Sequence, residues 1–147
     1  MDKIALSRDV QSLFTNSPND THFTRIGSGN NRIVYQIKTD KYGDSVQDAV
    51  VKVDLTGTEN MEEHRNWNKL GNAQIGDHLV PVENRSDDFS WILMPYYRPV
   101  KPSLVDEQLY QRLSSLGSDI SRTDFVEDRE NDRQMCCDYA TLSVDNL

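Results

Sequence analysis

The sequence predicts an α+β fold: a five-stranded antiparallel sheet with a packed helix, followed by a short helix and a small β-hairpin. Three observations carry this expectation. Apolar residues recur at helical spacing in "MDKIALSRDVQSLFT", the period shrinks to two from Phe23 to about Leu55, and helical spacing returns in "ENMEEHRNWNKLG". Helices segregated from a run of strands belong to the α+β class.

Residues 2 to 15 place Ile4, Leu6, Val10, Leu13 and Phe14 on a helix, and "TNSPND" stops it with Pro18 and turn formers. "HFTRI", "RIVYQIKT" and "DAVVKVDL" read as three strands, the last two joined by the loop "DKYGDSVQ". In the helix that follows, Met61, Trp67 and Leu70 are the apolar positions and Gly71 suits the C-terminal cap. "HLVPVENR" and "FSWILMPYY" read as two more strands around "NRSDD". Pro99 and Pro102 then break the chain. "SLVDEQLYQRLSSLG" has a stripe of Val105, Leu109, Leu113 and Leu116, and Ser103 three residues before Asp106 reads as a capping-box variant. In the polar tail, "FV" and "MCCDYATLSV" pair as a hairpin.

Composition narrows the function. With 36% hydrophobic residues the core is modest and the surface polar, and 24 acidic against 16 basic residues leave a net charge of −8. Only six of the 16 cations are lysines, a balance that suits a high-salt interior as well as an ordinary acidic cytosolic protein. A phosphate-backbone binder carries a basic stripe, and none is visible, so nucleic acid is set aside. His22, His64 and His78 lack ligand spacing for zinc. Cys136 and Cys137 are adjacent and point to opposite faces if they lie in a strand. "MDKIALSRDV" has no apolar leader core, and "WILMPYY" is too short to span a bilayer. The expectation is a soluble chain without a membrane partner, in the cytoplasm or, if viral, in a virion.

Two charged residues stand out. Lys52 lies in the apolar strand "AVVKVDL", sharing a face with Val50 while Val51 and Val53 take the other. It either snorkels at a sheet edge or has an anionic partner. Glu63, four residues before Trp67, shares that residue's helical face and turns inward if the tryptophan does. Otherwise Glu62 and Glu63 form a solvated acidic face.

The order of these features resembles the amino-terminal lobe of the protein-kinase fold, in the divergent branch of small kinases. A glycine loop, "RIGSGNNRIVYQI", precedes the strand lysine, the helix glutamate and then "WILMPYY". Gly27 and Gly29 stand at the first two glycine positions and Arg32 at the third. The resemblance implies a helix and linker over 1–22, a kinase N-lobe-like domain over 23–98 and a minimal C-lobe remnant over 99–147. It implies that Gly27, Ser28, Gly29, Asn30 and Arg32 cover the phosphates of ATP. Lys52 would hold the α- and β-phosphates, oriented by Glu63 or by Glu62. Met94 would be the gatekeeper, with the Pro95 carbonyl and Tyr97 amide bonding adenine. In the tail, "SDISRTDF" and "CDYA" match the catalytic loop and the metal-binding DFG, with Ala140 in place of the glycine. Asp119 would then be the acceptor-hydroxyl base, and Asp124 and Asp138 the Mg²⁺ ligands.

The function implied is a miniature ATP-dependent phosphotransferase with a small or partner-presented acceptor. A protein partner would cover the surface of the missing C-lobe. The alternatives are a non-catalytic pseudokinase-like interaction module, and a structural or assembly protein, viral in origin, that reuses the fold.

Overall fold

Alternation along three strands builds the first sheet. In the computed structural model, which describes residues 1–15, 22–29 and 31–143, the strands are β1 (Phe23–Ser28), β2 (Arg32–Ile37), β3 (Val50–Asp54), β4 (Asn84–Arg85) and β5 (Trp91–Met94). They pair antiparallel throughout in the order β1-β2-β3-β5-β4. The stop signal at Pro18, the hairpin residue Asn30 and the end of the tail from 144 lie outside the described residues.

The chain forms two compact units, Met1–Met61 with Val82–Tyr96, and Glu62–Pro81 with Tyr97–Leu147. In the first, one sheet face is apolar. Tyr35, Val51 and Leu93 stand opposite one another across β2, β3 and β5, as do Ile33, Val53 and Trp91. They pack with Ala5, Leu6 and Val10 of helix α1 (Lys3–Thr15) and with Phe23 and Tyr42. Ile4 was expected in this stripe but is 82% exposed. It lies two residues before Leu6, roughly 200° around a helix of 3.6 residues per turn, so Leu6 and Val10 face the sheet and Ile4 cannot. Asp9 fixes the helix by accepting from Tyr42 Oη at 2.6 Å and Lys41 Nζ at 2.8 Å. Burial pushes its carboxyl pKa up, and these bonds outweigh that and bring it below the ordinary value.

Helix α2 (Thr58–Leu70) begins in the first unit and continues in the second. Its buried positions are Asn60, Glu63, Asn66 and Leu70, whereas Met61 is exposed and Trp67 only half-buried. The apolar stripe expected there is therefore mostly a polar one. Such a face is stable only if each polar group finds a hydrogen bond.

"HLVPVENR" does not form a strand along its length. Gln74–His78 is a 3-10 turn, Leu79 makes a single bridge to Cys136, and only Asn84 and Arg85 pair with β5. Pro81 interrupts it, since proline has no N–H to give a ladder.

The second unit holds α3 (Glu107–Ser114) and a three-stranded antiparallel sheet, β6 (Arg98–Pro99), β7 (Phe125–Asp128) and β8 (Arg133–Cys136). The expected tail hairpin is β7 with β8, and β8 ends at Cys136, so residues 137–143 lie outside the strand, while position 144 lies outside the described residues. Asp106, not Ser103, caps α3: its Oδ1 accepts from Gln108 N at 3.0 Å and Leu109 N at 3.2 Å. Pro102–Leu104 forms a separate 3-10 turn, which leaves Ser103 outside the helix. The stripe of Val105, Leu109, Leu113 and Leu116 is buried as expected. Among the described residues no helix is long and apolar enough to cross a membrane.

Gly57, just ahead of α2, has φ +75°, and a Cβ there would lie 2.6 Å from the Asp88 carbonyl oxygen. Gly57→Ala should cost about 1–3 kcal/mol in urea unfolding, since both the backbone angle and the contact are strained. An unchanged midpoint would show that the loop simply moves aside.

Candidate functional site

Lys52 sits in β3, flanked by β2 on one side and β5 on the other, and is 4% exposed. This central placement overturns the sheet-edge alternative. Register puts Val34 and Ile92 directly opposite it, and Gly27 opposite Val34, so these residues form one row on the face away from α1. Val34 reads in the sequence as a strand former only, although its two-residue spacing from Arg32 puts it on the same face.

The hairpin above this row is closed by Gly29 N donating to Arg32 O at 2.8 Å. Neither glycine is required by internal packing: a Cβ on Gly27 would make only ordinary contact with Val34, and one on Gly29 meets nothing within 4 Å. Neither has positive φ. Their bareness leaves space on the hairpin rather than relieving strain. Ser28 ends β1, opposite Ile33.

Arg32 is held by the first turn of α2. Its guanidinium, 5% exposed, lies 3.0 Å from Glu59 Oε2 through Nε and donates through Nη1 to Asn60 Oδ1 at 3.3 Å. Asn31 Nδ2 donates to the other Glu59 oxygen at 2.8 Å. Beneath them, the buried Asp54 carboxylate accepts from Glu59 N at 2.9 Å, Asn60 N at 3.2 Å and Thr56 N at 3.1 Å, satisfying amides that a helix start leaves orphaned. Asn60 Nδ2 donates to Lys52 O at 3.0 Å and to Phe89 O at 2.9 Å. Sequence reasoning missed Asp54, Glu59 and Asn60. The signal available was an aspartate four residues before Thr58 at the helix start.

Met94 is buried, Pro95 and Tyr97 are half-buried, and the boundary between the two units falls between Tyr96 and Tyr97.

In the second unit, Glu63 is fully buried and its Oε2 accepts from Tyr139 N at 2.6 Å. Asn66 Nδ2 donates to Tyr139 O at 2.9 Å and Ala140 O at 3.1 Å. Tyr139 Oη donates to Val80 O at 2.6 Å. Helix α2 thus grips the backbone of Tyr139 and Ala140. Glu62 is the outward member of the pair and bonds Arg65.

The three tail aspartates lie along one stretch. Asp124 O accepts from Cys137 N at 2.8 Å, and the pairing of Phe125 with Cys136 puts Asp124 and Asp138 at the same end of the β7–β8 hairpin. Asp119 N donates to Thr141 Oγ1 at 3.3 Å. Asp119 and Asp138 are exposed, whereas Asp124 Oδ2 accepts from Ser121 N at 2.8 Å in a capping box. Among the described residues no three His, Cys, Asp or Glu side chains are grouped to hold a metal ion. Cys136 is buried and Cys137 half-buried, neither in a disulfide, and burial pushes the Cys136 thiol pKa well up.

The loop carrying Asp119 and Asp124 is braced by Arg122, whose Nη1 lies 2.8 Å from Glu107 Oε2, whose Nη2 donates to Oε1 at 3.0 Å, and whose guanidinium stacks 4.2 Å over the Tyr110 ring. The bonds from Arg122 and then Gln111 hold Glu107 at about 2.

Two outcomes follow. Asn66→Ala leaves the carbonyls of Tyr139 and Ala140 without this donor and should cost about 1–3 kcal/mol in urea unfolding. An unaltered midpoint would mean the grip contributes nothing. The Glu107 contribution is fully present above pH 4.5, the ordinary glutamate value, and fades as pH falls toward about 2. The melting temperature of Glu107→Gln should therefore lie below wild type at neutral pH and converge with it over that window. A gap of constant size across it would contradict the assignment.

No protein-family model and no curated protein sequence gives a significant match to this chain.

Proposed function

We propose that this chain is a kinase-like nucleotide-binding protein that takes ATP with Mg²⁺ and passes the terminal phosphate to a small or partner-presented acceptor. The observation that supports it most is Lys52: an ammonium buried in the middle strand of a sheet, in register with a hairpin that sets Gly27 against Val34 and leaves open space around Gly29. A buried ammonium is stable only among anionic or hydrogen-bonding groups, and the oxygens of a polyphosphate are groups of that class.

In this reading the backbone amides of residues 27–30 cover the phosphates, with Arg32 and Lys52 as the cationic side chains. The Pro95 carbonyl and the Tyr97 amide bond adenine. Asp124 and Asp138 would hold Mg²⁺, an ion that takes few protein carboxylates and that would neutralise charge on the phosphates. The γ-phosphoryl group leaves ADP for an acceptor hydroxyl whose proton passes to Asp119. Catalysis rests on positioning and charge neutralisation. Glu63 and Asn66 support it by fixing the backbone that follows Asp138.

One observation favours a second reading. The Asp124 carboxylate already caps its own turn through Ser121, which suits a pseudokinase-like module that binds nucleotide, or a protein partner, without transfer.

A ligand that binds only the native state stabilises it by about 2.7 kcal/mol at a hundredfold excess over Kd. For a chain of this size that corresponds to a rise in Tm of about 5–10 °C. Mg-ATP should produce such a rise, Lys52→Met should lose it, and Asp138→Asn should weaken it and abolish ADP release. No shift at saturating nucleotide refutes the ATP reading. A shift without ADP release selects the non-catalytic module.

A further inference from the structure

The hairpin that would cover the phosphates is already tied down by a carboxylate. Both oxygens of Glu59 are engaged at its tip, one by Asn31 Nδ2 at 2.8 Å and one by Arg32 Nε at 3.0 Å. We propose that this clasp is a phosphate-responsive latch: Glu59 occupies the anion position on Arg32 in the resting chain, and a polyphosphate displaces it. The inference rests on the nucleotide reading above and adds a competitor within the chain to it.

The argument begins with the uneven burial of the pair. Arg32 is 5% exposed, while the carboxylate on it is 37% exposed. A buried guanidinium must keep an anionic or carbonyl partner, so it stays in place. Glu59 is the solvent-facing member, and its side chain can turn outward at the cost of its contact with Arg32 and the hydrogen bond from Asn31.

Helix α2 does not depend on that carboxylate. The backbone amides of Glu59 and Asn60 are satisfied by Asp54, and the Asn60 side-chain Nδ2 donates to Lys52 O and Phe89 O. Asn60 Oδ1 also stays on Arg32 when Glu59 leaves, at 3.3 Å. The guanidinium is thereby kept in position to receive a new anion.

Phosphate is the stronger partner. It carries more charge than a carboxylate and presents the same fork of oxygens to a planar guanidinium. Arg32 and Lys52 also lie on one sheet face, Arg32 opposite Asp54 and Lys52 two residues along the same strand. A chain of phosphates can reach both cations, and a single carboxylate on α2 cannot. The clasp would keep the hairpin closed until such a ligand arrives.

Calorimetric titration with Mg-ATP and with inorganic tripolyphosphate tests this on wild type, Glu59→Gln and Asn31→Ala. Glu59→Gln should bind both ligands about tenfold more tightly than wild type, the gain that follows when the unlatched form is about one-tenth populated. Asn31→Ala, which removes half of the clasp from an exposed position, should gain less in the same direction. Equal or weaker binding by both variants, with wild type binding, overturns the latch and leaves the nucleotide reading standing. A gain confined to ATP overturns displacement by phosphate. No binding of either ligand by any of the three overturns both readings.

Discussion

The first unit closes around two polar side chains that it buries, Asp54 and Asn60. Burying a carboxylate and an amide is costly unless their bonding capacity is used, and here it is. Asp54 takes the amides at the start of α2. Asn60 returns bonds to β3, to the turn before β5 and, through Arg32, to β2. Each bond is directional, so the helix can start in only one place relative to the sheet. An apolar contact would have tolerated sliding. The placement of Lys52 on β3, and of the glycine hairpin beside it, depends on that fixed start.

The second unit repeats the strategy with different residues. Glu63 and Asn66 project from α2 one helical turn apart and hold a stretch of irregular backbone by its own amide and carbonyls. Tyr139 completes it by sending its hydroxyl to Val80. A segment with no ladder of its own would otherwise leave buried N–H and C=O groups unmatched. The consequence is a fixed backbone next to the exposed residue Asp138. Arg122 braces the neighbouring loop from the other direction through Glu107 and Tyr110.

Alternation made the three long strands legible, including the faces taken by Val51, Val53 and Lys52, because a period of two assigns each residue a side. Helix α2 was legible in extent but not in orientation. Its inner face is Asn60, Glu63 and Asn66, and a search for apolar spacing selects Met61 and Trp67 instead. Hydrogen-bond partners for such a face lie far off in sequence, Phe89 for Asn60 and Tyr139 for Glu63, so no local pattern announces them. Local rules also misplaced two boundaries. Pro81 was allowed inside a strand, and Ser103 was preferred as a cap when the carboxylate of Asp106 stood closer to the helix. Of the proposed site, Glu63 is buried although Trp67, whose packing was to carry it inward, is only half-buried, and the engagement of Asp124 by Ser121 had no sequence signal.

The central claim is that the buried ammonium of Lys52 serves a nucleotide's phosphates. Phosphorus-31 NMR of Mg-ATP tests it most directly, because each phosphate reports separately. Adding the chain should shift and broaden the α- and β-phosphorus lines, and the Lys52→Met chain, shown to be folded, should leave them sharp. Lines unmoved by wild type, or moved equally by both chains, would contradict the account.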